Sequence, residues 1–399
     1  MSYSNFAAAI KRSDFQRKLL VAGVLLIALN LRPSLAAVGP LVSFIREGTN
    51  LSNSMLGLLT TLPLLAFGIV STLTPLFTRN FGIERTLFGA MILLSTGILL
   101  RVFKSVEWLF LGTLLLGIAI ALGNVLLPTI VKRDFPHRSG LITSLYSSMM
   151  GIGAAFAAGI SVPLAQQGGL GWRWSMASWA LLSIVAMLIW LPQLKHRTSG
   201  KSNRSFLKAM KGLGGSRLAW QVAIFMGLQS FAFYVILAWL PEILQSRGLA
   251  ASQAGWMLSL SQCMGVLGTL LIPLWADKKK DQRKIVAILV LMEAISLAGL
   301  MLPGTFLVSV WVSLIGFALG GSFGMALLFI VLRSGDAEKA TELSGMSQSI
   351  GYLLAAGGPM LFGFIYDVTQ NWLYSFLLLA GILLVKLWVG LGAGRPRQC

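Results

Sequence analysis

Twelve stretches of about twenty mostly apolar residues recur along the 399-residue chain, and they restrict its fold more than any other feature. A helix needs about twenty residues to cross the ~30 Å hydrocarbon core of a bilayer. Helices also satisfy their own backbone polar groups, which an open sheet cannot do in lipid. The runs predict spans at 19–44, 53–77, 86–103, 108–131, 140–164 and 174–191, then at 219–244, 254–275, 285–302, 305–332, 342–366 and 371–391. Charges or Gly- and Pro-bearing breaks separate them. With 56% hydrophobic and 11% charged residues, the chain lacks the polar surface that a soluble domain of this length needs. The first run is too long for a signal-peptide core and has no convincing cleavage site, so it is expected to be retained. The expected class is an all-α integral membrane protein.

The placement of basic residues predicts orientation. Most of the 32 Lys and Arg side chains fall in the leader (Lys11, Arg12, Arg17, Lys18), in alternate loops (79–85, 132–138, 195–217, 278–284, 333–339) and in the tail. The intervening loops hold only Arg46, Arg101, Lys104, Arg173 and Arg247. This is the positive-inside pattern, and it predicts two cytoplasmic termini in a bacterial inner membrane. The net charge of +19 is then a topological signature. No nucleic-acid partner is expected, because no folded soluble domain is available to bind one. Cys263 lies within a span and Cys399 is the last residue, so neither a disulfide framework nor a metal cluster is supported. His137 and His196 sit in basic loops. Trp172 and Trp174 fall at a span boundary, where interfacial anchoring is expected.

Between spans 6 and 7 lies the longest polar segment. It divides the chain into a leader (1–18), a first six-helix bundle (19–191), a linker (192–218), a second bundle (219–391) and a tail (392–399). Phe206, Leu207, Met210 and Leu213 in the linker recur at helical spacing, as in a short surface helix or a solvated connector. The two halves echo each other at an offset near 200 residues: Pro75 with Pro273, Arg133 with Arg333, Gly151 with Gly351. A six-plus-six repeat with a midplane site is the plan of secondary transporters. No Gly-x-x-x-x-Gly-Lys-Ser/Thr loop is present, so direct ATP drive is not expected.

Arg32 stands out within the first span, in Asn30-Leu31-Arg32-Pro33. A guanidinium at mid-membrane costs roughly 2.5–3.5 kcal/mol on insertion scales, so it faces a wet cavity or a partner. Pro33 beside it weakens the helix and frees backbone groups. The pair suggests a site for something anionic or polarised, with neutralisation by another helix as the alternative.

Twelve spans in two halves with basic loops after spans 2 and 8 resemble the major facilitator superfamily. Its Gly-x-x-x-Asp-Arg-x-Gly-Arg-Arg loop is present only in degraded form: Gly82 and Arg85 fit, Pro75 and Arg79 depart, and Asp277 is kept beside Pro273. More specific stretches resemble the cyanate permease and 2-nitroimidazole transporter family. They are Leu29 to Pro33 with Val38-Gly39-Pro40-Leu41, Gly123 to Pro128 with Lys132 to Phe135, Trp239-Leu240-Pro241, and Gln348 to Tyr352. The resemblance implies a major facilitator fold of two pseudo-symmetric halves, with spans 1, 4, 7 and 10 lining a cavity and 3, 6, 9 and 12 outside. It further implies a monomer in contact with membrane lipids that moves cyanate-like anions or 2-nitroimidazole-like heterocycles by alternating access.

Sorted by that fold, the candidate substrate-binding residues are Arg32, Asn30, Asn124, Tyr146, Gln229, Tyr234, Trp239, Gln262, Gln348 and Tyr352. Arginine offers a planar fork of charge-assisted donors, Tyr and Trp offer apolar walls with a polar tip, and the amides set orientation. Each amide could equally tie helices together. Glu293 is the one acid well inside a span and is a candidate for proton coupling, or a structural partner in a peripheral helix. A multidrug exporter of the same fold is the alternative function. An enzyme is not expected, since the spans offer no paired acids, His cluster or activated nucleophile, and no cofactor is implied.

Overall fold

In a computed structural model that describes residues 14–135, 138–195, 213–302, 304–305, 307–334 and 337–397, the chain is a bundle of twelve long helices. Lys11, Arg12, His137, His196, Cys399 and the linker positions Phe206, Leu207 and Met210 lie outside these residues. Span 1 is built from three consecutive helical pieces, Asp14–Asn30, Pro33–Ala36 and Val38–Thr49. Spans 2 to 6 are Asn53–Phe81, Ile83–Leu100, Val106–Asp134, Ser139–Gln166 and Gly171–Trp190. A short 3-10 turn, Leu191–Lys195, follows. Spans 7 to 12 are Arg217–Gln245, Ala251–Asp277, Arg283–Met301, Val308–Leu332, Ala337–Thr369 and Trp372–Ala393.

Local chemistry sets the ends of these helices. Ser52, Ser105, Ser216 and Asn371 cap spans 2, 4, 7 and 12, each side chain accepting from a backbone N–H in the first turn. Gly82 alone joins spans 2 and 3, at φ 83°, a left-handed conformation that glycine adopts without strain. The superfamily-like loop is therefore reduced here to a one-residue connection between two helices.

The two halves repeat each other in packing. In the first half span 2 packs on 4, 3 on 4 and 6, and 1 on 5 and 6; in the second, span 8 packs on 10, 9 on 10 and 12, and 7 on 11 and 12. Between halves, span 2 lies against 11 and span 5 against 8, an arrangement that also maps onto itself. Close approach depends on small residues. A Cβ at Gly320 of span 10 would collide with the carbonyl of Gly265 on span 8, and Thr269 Oγ1 donates to the Gly320 carbonyl at 3.0 Å across the same contact.

Arg133 and Arg333, matched in sequence, each staple one half near the face that carries the described chain ends. Arg133 pairs with Glu84 at 2.9 Å and Asp134 at 2.7 Å. Arg333 donates to Gln282 and to the Ala393 carbonyl at the end of span 12. Trp172, expected at the interface, is buried against Gly48 of span 1, while Trp174 is exposed.

Candidate substrate cavity

A cavity of about 250 Å³ lies between the halves. Its walls come from spans 1, 4, 5, 7, 8, 10 and 11, and spans 3, 6, 9 and 12 contribute nothing to it. Each span presents one helical stripe. On span 7 the stripe is Met226, Gln229, Ser230, Phe233 and Tyr234, at spacings of three and four residues. Gln262, Val266 and Thr269 form the stripe on span 8, and Tyr146, Ser147 and Met150 face inward from span 5. The floor is buried around Gln229 and Tyr234, and the walls become exposed at Thr143, Ser147, Leu270 and Leu327. The cavity thus widens towards the face that carries the chain ends.

Arg32 is the one charged side chain lining this cavity among the described residues. It is held where span 1 breaks: its backbone (φ −116°, ψ −33°) precedes the Pro33–Ala36 turn, and Pro33 supplies no N–H to continue the ladder. The guanidinium carbon sits 5.5 Å from the Phe233 ring centroid and 5.9 Å from that of Tyr234. Both are within cation–π range, worth about 0.5–2 kcal/mol each. Its hydrogen bond to Tyr234 Oη is long, at 3.5 Å, and therefore weak. Among the described residues no carboxylate lines the cavity.

Of the sequence-derived candidates, Arg32, Asn124, Tyr146, Gln229, Tyr234, Gln262, Gln348 and Tyr352 come together around this space. Tyr352 also meets Phe67 edge-on at 5.5 Å across the halves. Asn30, Trp239 and Glu293 are placed elsewhere. Asn30 ends the first helical piece of span 1, and its Nδ2 donates to the Leu26 and Leu182 carbonyls at 2.8 and 3.2 Å, away from the cavity lining. Trp239 is five residues from Tyr234 and so on another face. Its Nε1 donates to the Pro359 carbonyl at 2.9 Å, and its ring packs against Phe362 and Trp372. Glu293 is buried between spans 9, 10 and 12. There Lys386 Nζ donates to its two oxygens at 2.5 and 2.8 Å, and Ser322 Oγ donates at 2.7 Å.

Phe233, Ser147, Met150, Met226, Thr269 and Phe323 line the cavity and were not among the candidates. Phe233 could have been found from its place one helical turn after Gln229 and beside Tyr234. Met150, Met226 and Phe323 carry no polarity that separates them from packing residues, and the hydroxyls of Ser147 and Thr269 are of a kind that helices also satisfy on their own backbone carbonyls.

On the opposite face a polar lock joins the halves. Arg46 of span 1 donates to Glu242 of span 7 at 2.6 Å and to Asn53 Oδ1 at 2.6 Å. Asp367, near the end of span 11, accepts from Asn53 Nδ2 at 2.7 Å, from the Asn53 backbone N–H at 3.0 Å and from the Ser54 N–H at 2.7 Å. A carboxylate there also meets the positive N-terminal end of span 2. Ser43 donates to Gln245 at 3.1 Å nearby.

Comparison with known proteins agrees with this architecture. The sequence profile of the Major Facilitator Superfamily matches residues 24–359. The chain is 45% identical to the transporter YycB of Bacillus subtilis (strain 168), over 95% of this chain and 94% of that one. It is 42% identical to the 2-nitroimidazole transporter of Escherichia coli (strain K12), over 97% and 98%. Identity to the cyanate transport protein of the same organism is 27%, over 91% and 95%. Among solved structures, a D-xylose–proton symporter superposes with a TM-score of 0.79 at 15% identity, over 94% of this chain and 97% of that chain, a likeness of fold alone.

Proposed function

The chain belongs to the Major Facilitator Superfamily, and from that membership we propose that it moves a small, flat, anionic or strongly polarised compound through the Arg32 cavity by alternating access. As a member of this superfamily it is a multi-pass membrane transporter rather than an enzyme. The observation that carries the substrate class is a guanidinium beside two aromatic rings, with no carboxylate lining the cavity among the described residues. A planar fork suits an anion or a nitro group, and the rings suit the flat faces of a heterocycle. The amides of Asn124, Gln229, Gln262 and Gln348 orient such a ligand. The similarity to transporters of 2-nitroimidazole and cyanate supports the same class. A broad multidrug role fits less well, because the cavity is small and carries one fixed cation.

In this reading the basic loops and both termini lie in the cytoplasm of an inner membrane, so the cavity is open inward and the Arg46–Glu242–Asn53–Asp367 lock is the closed outer gate. The protein acts as a monomer surrounded by lipid. If transport is proton-coupled, Glu293 reports through Lys386 and the packing of spans 9, 10 and 12, since it does not touch the cavity.

The decisive experiment is ligand-induced thermal stabilisation of the purified protein and its Arg32→Ala variant. The panel contains 2-nitroimidazole, cyanate, other small anions and neutral heterocycles. Stabilisation by one class in the wild type that is lost in the variant is the expected result. Equal stabilisation of both proteins refutes Arg32 as the binding cation.

A further inference from the structure

Arg101 is the residue that ends span 3, a helix that contributes nothing to the cavity, yet it is 1% exposed. Its Nη1 donates to the Ser34 carbonyl at 3.0 Å and its Nη2 contacts Met176 Sδ at 2.8 Å, while Nε has no partner. No carboxylate pairs with it among the described residues. Burying a cation with such poor compensation is costly, and an apolar side chain of similar size would fill the space at less cost. The path for its stem is cleared by Gly112 of span 4, where a Cβ would stand 2.9 Å from Arg101 Cγ.

What the arrangement gains is control of the break in span 1. Ser34 lies two residues after Arg32, in the four-residue turn between the two long pieces of that span. Asn30 lies two residues before Arg32 and is tied to the Leu182 carbonyl of span 6. Arg32 is therefore bracketed: one side of the break is held from span 6, the other from span 3. Because Arg32 itself is outside regular helix, the direction of its side chain depends on where these two ties hold the chain.

We propose that Arg101 is a positioning residue for Arg32, fixing from outside the cavity the place where the guanidinium meets the substrate. The inference rests on the reading of Arg32 as the binding cation. Asn30 serves the same end from the other side, which gives a second role to a residue that does not reach the cavity.

The test is a double-mutant cycle of Arg101→Met and Arg32→Gln, with dissociation constants measured for 2-nitroimidazole and cyanate on the full-length protein. In the wild-type background Arg101→Met is expected to weaken binding of the Arg32-dependent probe about tenfold, and in the Arg32→Gln background by less than about twofold. Arg101→Lys keeps a cation but not the planar fork, and it falls between. It also serves as the readable variant if Arg101→Met does not fold. An Arg101 variant that lowers Tm while leaving both constants unchanged, or effects that add across the cycle, would overturn the proposal and leave Arg101 as packing. If Arg32→Gln itself binds as wild type, the cavity reading fails and this inference falls with it; that outcome is distinct, because it is read in the Arg32 single variant alone.

Discussion

At the scale of single residues, Arg32 shows how much a neighbour's geometry decides. Its contact with Tyr234 Oη is at the limit of hydrogen bonding, whereas the two rings lie within cation–π range. Tyr234→Phe is therefore expected to change ligand affinity by less than about threefold, since a weak hydrogen bond is lost and the ring is kept. Phe233→Leu removes a ring from the guanidinium and is expected to weaken binding by about three- to tenfold, the range of one partly desolvated cation–π contact. Isothermal titration of the two variants checks both. Arg32 was legible in the sequence because a charge inside an apolar run needs a reason. Phe233 was legible only through its neighbours, one turn after Gln229 and beside Tyr234, because a phenylalanine inside such a run needs no reason of its own.

At the scale of helices, the Glu293–Lys386–Ser322 cluster ties three spans of the second half together. Removing one member of a buried pair leaves an uncompensated charge and costs about 3–5 kcal/mol, whereas replacing both by apolar residues is often neutral. Lys386→Met should lower Tm markedly, and Lys386→Met with Glu293→Leu should recover most of the loss in a thermal unfolding assay. Retained transport and pH dependence in the double variant would remove Glu293 from proton coupling. The contact between spans 8 and 10 is just as demanding. Gly320→Ala drives a methyl into the Gly265 carbonyl, so a variant that fails to assemble or loses Tm is expected. Helix number and approximate limits were readable from hydropathy, since a span is a sum over about twenty residues. The break in span 1 was signalled by Pro33, although its division into three pieces was not.

At the scale of the whole molecule, the cavity opens on one face and the halves are locked on the other. The lock concentrates two crossings, Arg46–Glu242 and Asp367 on the start of span 2. The proposed alternating access requires these to separate while the cavity side closes, and the balance between the two states is set by their difference in free energy. Asp367→Ala leaves the N–H groups of Asn53 and Ser54 without that acceptor and should shift the population towards opening on the lock face. Spin labels on the lock-face ends of spans 2 and 11 should then show a longer distance component than in the wild type. An unchanged distance distribution would mean that apolar packing, such as Gly57 against Pro359, holds this face closed by itself.

The linear sequence determined how many runs are long and apolar enough to cross a bilayer, where the longest polar segment divides them, and which residues, Arg32 and Glu293 among them, carry a charge within those runs. Those properties depend on local composition and on transfer of each segment from water to lipid. Only the tertiary structure decided which side of each helix faces the cavity. Spans that are apolar around most of their circumference give no strong periodic signal of their inner face. Their rotation is set by contacts between residues far apart in the chain, such as Trp239 against Phe362 and Arg101 against Ser34. That is why the candidates Trp239 and Asn30 are placed in contacts between helices, away from the cavity, while Phe233, which was not a candidate, stands against Arg32.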